Sequence, residues 1–358
     1  MELSRYLYEK SEVRASFINS LLKRKKPESL FWISEFFLSG WHQETLHLLW
    51  EVYYDFYYIY HSKMEKKLLN ILKDVNLKNI LTATTSLYYL KEKTTYTFEL
   101  RLIIKNTRIP SVNYIYKQIP EQYKVYKHKH FIYSIVKQHI INIGYYFQQA
   151  NNNSSTITVS DIYSDIKKLL GIDSFLHKNK TIQQHMFIAS ISRYALFGET
   201  TPTIRIRNAL FHIESTLLKV ITNEETDVAK QHPYRILENQ RKYEIDDDIG
   251  LDHFSLPRFQ DDILNKKDIE NSVMYNIYYH WEYYAYNTPI WMARFTQYKG
   301  IQNHTTKEVE FPCEELAEQF YENYAYEPDE QSHVTNIKSA KNITEIQYNV
   351  WRSNVFLG

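Results

Sequence analysis

Seven glycines serve a chain of 358 residues, and at least 26 other residues separate any two of them. Glycine lets a backbone take positive φ, turn tightly, or approach a phosphate closely. A chain this poor in it has few places for a nucleotide cradle or a strained nucleophile elbow, and no phosphate-binding loop, dinucleotide fingerprint or Gly-x-Ser-x-Gly motif occurs. What such a chain builds readily is helix. Thirty-two tyrosines point the same way, toward packing and contact. Tyrosine offers a large amphipathic surface at small rotamer cost. An AT-rich coding sequence would produce the same bias, so composition alone does not decide between the two origins.

Hydrophobic periodicity gives the fold class. Val13, Phe17 and Leu21 recur at spacing four behind Ser11. Pro27 suits the first turn of a second helix that Gly40 stops. Leu46, Leu49, Trp50, Tyr53, Phe56, Tyr57 and Tyr60 hold spacings of three and four, the strongest periodic run in the chain. Met64, Leu68, Ile71, Leu72 and Val75 make another. "YTFELRLIIKN" fits a strand or a buried helix, and residues 130–149 read as one helix. Helices closed by Gly171 and Gly198 follow, then one over 203–220 and one around 272–286. "IWMARFTQYKG" and "KEVEF" read as two short strands, and Pro312 opens a last helix, from Glu314 to about Tyr324. The expected architecture is mainly α, stacked helical hairpins of HEAT-like or bundle type, with a smaller α+β C-terminal part. The expected divisions are a helical-hairpin domain over 1–150, a second helical unit over 158–222, an acidic linker or loop over 223–268, and the α+β part over 269–358.

Charge is balanced overall, net +1, so no global field draws the chain to nucleic acid or membrane. Local blocks differ. Residues 101–130 hold Arg101, Lys105, Arg108, Lys117, Lys124, Lys127 and Lys129 against Glu121, a net of +6. Tyr114, Tyr116, Tyr123 and Tyr126 interleave with them. Cations for phosphate and rings for bases are the ingredients of single-strand or RNA binding. A solvated basic face whose tyrosines turn inward, or a dock for an acidic partner, uses the same residues. Residues 223–270 and 307–331 are acidic, at −6 and −8, and could meet the basic stretch within the chain. Tyr324, Tyr326, Glu327, Asp329 and Glu330 form a tyrosine–acid loop suited to a basic protein partner.

Catalytic and metal signatures are weak. The single cysteine, Cys313, excludes an internal disulfide and a multi-thiolate zinc site, and carboxylates beside it disfavour a reactive thiolate. His42 and His47 lack the His-Glu-x-x-His arrangement. The run Asp246 to Asp252 fails the EF-hand spacing, because Gly250 at the sixth position puts Ile245 where a carboxylate is required. The expectation is therefore no enzyme, no cofactor and no metal. A charged N-terminus and the lack of a long apolar run lead to the expectation of a reducing intracellular compartment and no membrane span.

Two segments, residues 16–60 and "EFPCEELAEQFYENYAYEPDEQ" at 310–331, resemble an uncharacterised protein group of nucleocytoplasmic large DNA viruses, the mimivirus-like ones especially. The resemblance covers about a fifth of the chain and carries no catalytic residues with it. It implies the host cytoplasm or virus factory as location. The leading expectation is a non-enzymatic scaffold or adaptor in a viral multiprotein assembly serving gene expression, through transcription or translation. The alternative is an RNA or single-stranded DNA binder using 101–130.

Overall fold

The computed structural model describes residues 2–5, 7–8, 10–105, 116–151, 159–171, 177–198 and 280–324. The chain is mainly helical, and the described residues include a small antiparallel two-stranded sheet near the C-terminus. Two compact units divide it. The first takes residues 1–46, 71–89 and 210–358, the second 47–70 and 90–209. This division differs from the boundary near 150 read from sequence. Helices of the first 150 residues fall in both units, and those between 159 and 197 share a core with 96–147.

In the first unit α1 (Lys10–Leu22) and α2 (Lys26–Leu38) form a helical hairpin. Val13, Phe17 and Leu21 are all buried, as their spacing requires. Arg24 closes the link at φ 61°, and Pro27 sits in the first turn of α2. α6 (Leu77–Tyr88) packs on both. Asn76 caps it by accepting from Asn79 N at 2.9 Å.

The C-terminal part of this unit contains α12 (Trp281–Ala285), α13 (Pro289–Gln297), β1 (Ile301–Asn303), β2 (Glu308–Glu310) and α14 (Glu314–Tyr324). β1 and β2 pair antiparallel with Gln302 opposite Val309. "IWMARFTQ" is thus a helix, not a strand: Pro289 pre-sets its first turn, and Trp291 and Phe295, four apart, are its buried face. The strand pair follows it. Rings bind the part together, with Phe295 stacked on Phe320 at 4.8 Å and Trp281 edge-on to Trp291 at 5.0 Å. Long-range bonds tie it to the N-terminus: Trp291 Nε1 donates to Ser4 O at 2.9 Å and Thr288 Oγ1 to Leu3 O at 2.7 Å. At the same contact Gly40 has φ +94°, and a Cβ there would meet Pro289 Cβ at 2.5 Å. A buried Arg5–Glu35 ion pair at 3.0 Å completes the seam.

The second unit is built on α7 (Tyr96–Lys105), α8 (Lys129–Val136), α9 (Ile140–Asn151), α10 (Val159–Leu170) and α11 (Lys180–Phe197). Leu100, Phe131, Ile135, Ile143, Ile166 and Phe187 sit at the centre of its core. "YTFELRLIIK" is therefore the buried helix of the two options. The stretch read as one helix over 130–149 is two, broken where Gln138 takes φ 55°. Gly171 and Gly198 end α10 and α11 at φ 63° and 67°, the left-handed stop their position suggested. The helix expected over 203–220 and the acidic segment 223–268 lie outside the described residues, as does most of the helix expected around 272–286.

Candidate functional site

Two groupings in the second unit carry its chemistry, one buried and one at the surface. The buried one begins with a backbone irregularity. α3 (His42–Val52) runs into a π-helix (Tyr53–Tyr57) and on into α4 (Tyr58–His61), with Tyr58 N bonded to Tyr53 O. A π-turn inserts one extra residue without breaking the rod, and such turns recur at functional positions. Here it drives four consecutive polar and aromatic side chains inward: Tyr53, Tyr54, Asp55 and Phe56 are all fully or nearly fully buried.

Asp55 is gripped by Arg101 of α7, whose Nε lies 3.1 and 3.0 Å from the two carboxylate oxygens. Glu51 adds a second carboxylate at 2.9 Å from Arg101 Nη2. Removing a charge pair from water is costly, and the side-on bidentate geometry offsets that cost. The carboxylates hold the Arg101 guanidinium above its ordinary range although burial pulls it down. His185 of α11 stands 3.9 Å from Asp55 on another side.

Tyr54 heads a second chain. Its hydroxyl donates to Glu65 Oε1 at 2.5 Å, and His177 Nε2 lies 2.7 Å from the Tyr54 hydroxyl oxygen. With the phenol proton directed at Glu65, the network assigns the Nε2–H tautomer to His177. Glu65 belongs to α5 (Met64–Ile71). Burial pushes the Glu65 carboxyl up, the Tyr54 phenol well up, and His177 down to about 4. Burial dominates each shift, so all three favour their neutral forms. Trp50 covers His177 edge-on at 4.4 Å. Glu65, Tyr54 and His177 thus fasten three separate segments to one another through hydrogen bonds.

The surface grouping is the connection from Tyr116 to His128 and the start of α8. Residues 116–137 carry five lysines against Glu121. Asp165 of α10 organises it, accepting from His128 N at 2.8 Å, Lys127 N at 3.3 Å and His128 Nδ1 at 3.1 Å. This fixes the chain so that Lys117, Lys124, Lys127 and Lys129 are exposed, with Val125 62% exposed among them. Lys127 also pairs with Asp161 at 2.8 Å, and Lys124 with Glu121. Pairs this exposed contribute little and leave the lysines free to exchange partners.

The tyrosines behave differently. Tyr123 and Tyr126 are half-buried against the unit's core. Lys168 lies over the Tyr126 ring at 5.2 Å and donates to Val125 O at 3.2 Å. Tyr123 and Tyr116 press on Tyr133 at 5.7 and 4.9 Å. Each ring is thus half-buried, with a protein neighbour against it.

The residues singled out from sequence therefore separate. Lys117, Lys124, Lys127 and Lys129 are all exposed, while Tyr123 and Tyr126 between them pack on the core. Arg101 is withdrawn from solvent: at 2% exposure and bound to Asp55, it is a core cation. Lys105 is the last residue of α7, and Arg108 lies outside the described residues. Tyr324 is half-buried, packed on Phe320 at 5.2 Å and under Arg294 at 4.6 Å, so it serves the C-terminal core. Tyr326, Glu327, Asp329 and Glu330 lie outside the described residues. Beside Asp55 and Glu51 on Arg101, the acids that meet residues 116–129 include Asp161 and Asp165 of α10 and the stretch's own Glu121, and the sequence reading did not single out the α10 pair as partners. Their i, i+4 spacing on one helix face was the available signal.

Among the described residues no cluster of three His, Cys, Asp or Glu could hold a metal ion, and no helix is long and apolar enough to cross a membrane. Comparison with protein-family models, curated proteins and solved structures finds no match to this chain.

Proposed function

We propose that the chain is a non-enzymatic helical adaptor, and that Lys117, Lys124, Lys127 and Lys129 dock an acidic protein surface within a larger assembly. The observation that carries this reading is the division of labour around Asp165. It pins the 124–128 segment so that cations and Val125 face solvent while Tyr123 and Tyr126 pack inward. Lysine heads can meet carboxylates or phosphates alike. Base stacking needs an open ring face, and these rings are half-buried, packed on Tyr133, Lys168 and the core. The loss of Arg101 to the interior weakens the nucleic-acid reading further. The groups suited to acid–base chemistry, Glu65, His177 and Asp55, are engaged with partners inside the unit, as a structural network would have them. The resemblance of residues 16–60 and 310–331 to the large-DNA-virus group supports a viral assembly serving gene expression, in the host cytoplasm or virus factory, as the setting.

Affinity purification of the full chain tests this, with wild type against the triple variant K124E/K127E/K129E, each with and without nuclease. The adaptor reading expects one set of proteins that survives nuclease and is lost from the variant. A set abolished by nuclease would transfer the surface to nucleic acid. Identical sets from both chains would remove the lysines from the interface.

A further inference from the structure

Arg101 shows how a guanidinium is used inside the second unit: its Nε and Nη2 edge takes Asp55 side-on. Arg193 of α11 offers the same edge under different circumstances. It is 3% exposed, and its Nε and Nη2 have no hydrogen-bond partner among the described residues. The guanidinium does bond Tyr58, whose hydroxyl also accepts from Ser190 Oγ at 3.3 Å. Neither neighbour carries a charge at neutral pH, and burial pulls the Arg193 guanidinium down while raising the Tyr58 phenol. An arginine does not shed its proton in a protein. A buried cation that keeps its charge and has no anion among the described residues is in the least favourable arrangement for such a group. The partner that fits its planar fork is a carboxylate, bound through two parallel N–H donors.

The surroundings add a preference. Tyr58 is partly buried, and its hydroxyl, bonded to Ser190, is enclosed. Phe197 lies one turn beyond Arg193 on α11, is 39% exposed, and meets the Tyr60 ring edge-on at 5.8 Å. Charge recognition therefore sits beside partly open aromatic surface.

We infer that Arg193, with the Tyr58 and Ser190 hydroxyls, is a receptor for a single carboxylate carried on an apolar or aromatic body. It is separate from the lysine surface and stands whether or not the adaptor reading does. Titration of the full chain with 4-fluorobenzoate tests it, followed by ¹⁹F NMR of the probe and by the arginine Nε–H resonances of the protein. The expected result is broadening of the probe signal and a shift of one Nε–H resonance that is missing from the Arg193→Lys spectrum. Arg193→Lys keeps the charge but not the fork, and should weaken binding about tenfold or more. Neutral 4-fluorobenzamide should leave both signals unchanged. No Nε–H shift in the wild type, or equal binding by Arg193→Lys, overturns the assignment. If Arg193→Lys fails to fold, a resonance shift confined to the residue bonded to Tyr58, located by comparison with Tyr58→Phe, decides it.

Discussion

Arg101 and Asp55 stand 46 positions apart in sequence and meet as a side-on ion pair, with Nε 3.0 Å from Oδ2 and 3.1 Å from Oδ1. The pair joins α7 to the π-helix, and its loss should be felt across the second unit. Arg101→Met leaves Asp55 and Glu51 buried without their cation and should cost about 3–5 kcal/mol. Arg101→Lys should fall between, since a lysine cannot make the two-point contact. Hydrogen exchange of α7 amides in the full chain measures both. An Arg101→Met chain with wild-type protection would contradict the pairing.

His177 and Glu65 give the second unit opposing pH dependences. Burial lowers His177 from 6.5 to about 4. The unfolded chain then binds a proton that the folded one does not, so the contribution of His177 is present above 6.5 and lost as pH falls toward 4. Glu65 is raised by burial. Its contribution is present below the ordinary carboxyl range and lost as pH rises through its folded value. His177→Gln should therefore flatten the fall in stability on the acid side. The His177 Cε1–H resonance should titrate with a midpoint near 4, and a midpoint at or above 6.5 would contradict a buried neutral ring.

Glu282 in α12 accepts from Tyr321 Oη at 3.1 Å, and burial raises its carboxyl from 4.5 to about 7, with Glu308 adding to the rise. A raised carboxyl favours the folded state below its unfolded value and ceases to do so as pH rises through the folded one. Glu282→Gln should match wild type near pH 4.5 and exceed it above pH 7, by about 1–2 kcal/mol after allowing for partial exposure. Thermal unfolding at the two pH values checks the crossover. Equal stabilities at both would place the carboxyl in its ordinary range.

Gly40 and Gly171 separate backbone conformation from crowding. Both have positive φ, but a Cβ at Gly40 meets Pro289 at 2.5 Å while one at Gly171 meets nothing within 4 Å. Gly171→Ala should cost about 1 kcal/mol from its left-handed backbone alone. Gly40→Ala adds overpacking and should cost about 3 kcal/mol or more. It should also speed exchange at the Ile290 amide, which bonds Ser39 O at 3.3 Å. Comparable losses in the two variants would contradict the close approach of Pro289.

Local chemistry carried much of this fold openly. Gly171 and Gly198 stop their helices as glycine should, and Val13, Phe17 and Leu21 are buried at the spacing that suggested it. Where the sequence misled, the cause was a signal shared by two structures. "IWMARFTQ" is a short apolar run that strand and helix both allow, and Pro289 settled it locally. The π-turn at Tyr53–Tyr57 is silent in sequence because one inserted residue leaves the apolar stripe almost unchanged. Arg101 read as surface charge because its partner is on a distant helix, and no local pattern couples 101 to 55. The lysines of 117–129 are exposed, as charged residues in a polar run should be; the inward turn of Tyr123 and Tyr126 was not legible, since it depends on Asp165 and Lys168 arriving from α10.

The central claim is that the basic surface works through lysine charge and not through base stacking on its tyrosines. Fluorescence anisotropy with a labelled single-stranded oligonucleotide and its abasic counterpart, each across a salt series, tests it most directly. The account expects weak binding, equal for both strands, that disappears steeply as salt rises. Tight, salt-resistant binding that requires the bases and is lost in Tyr123→Ala or Tyr126→Ala would contradict it.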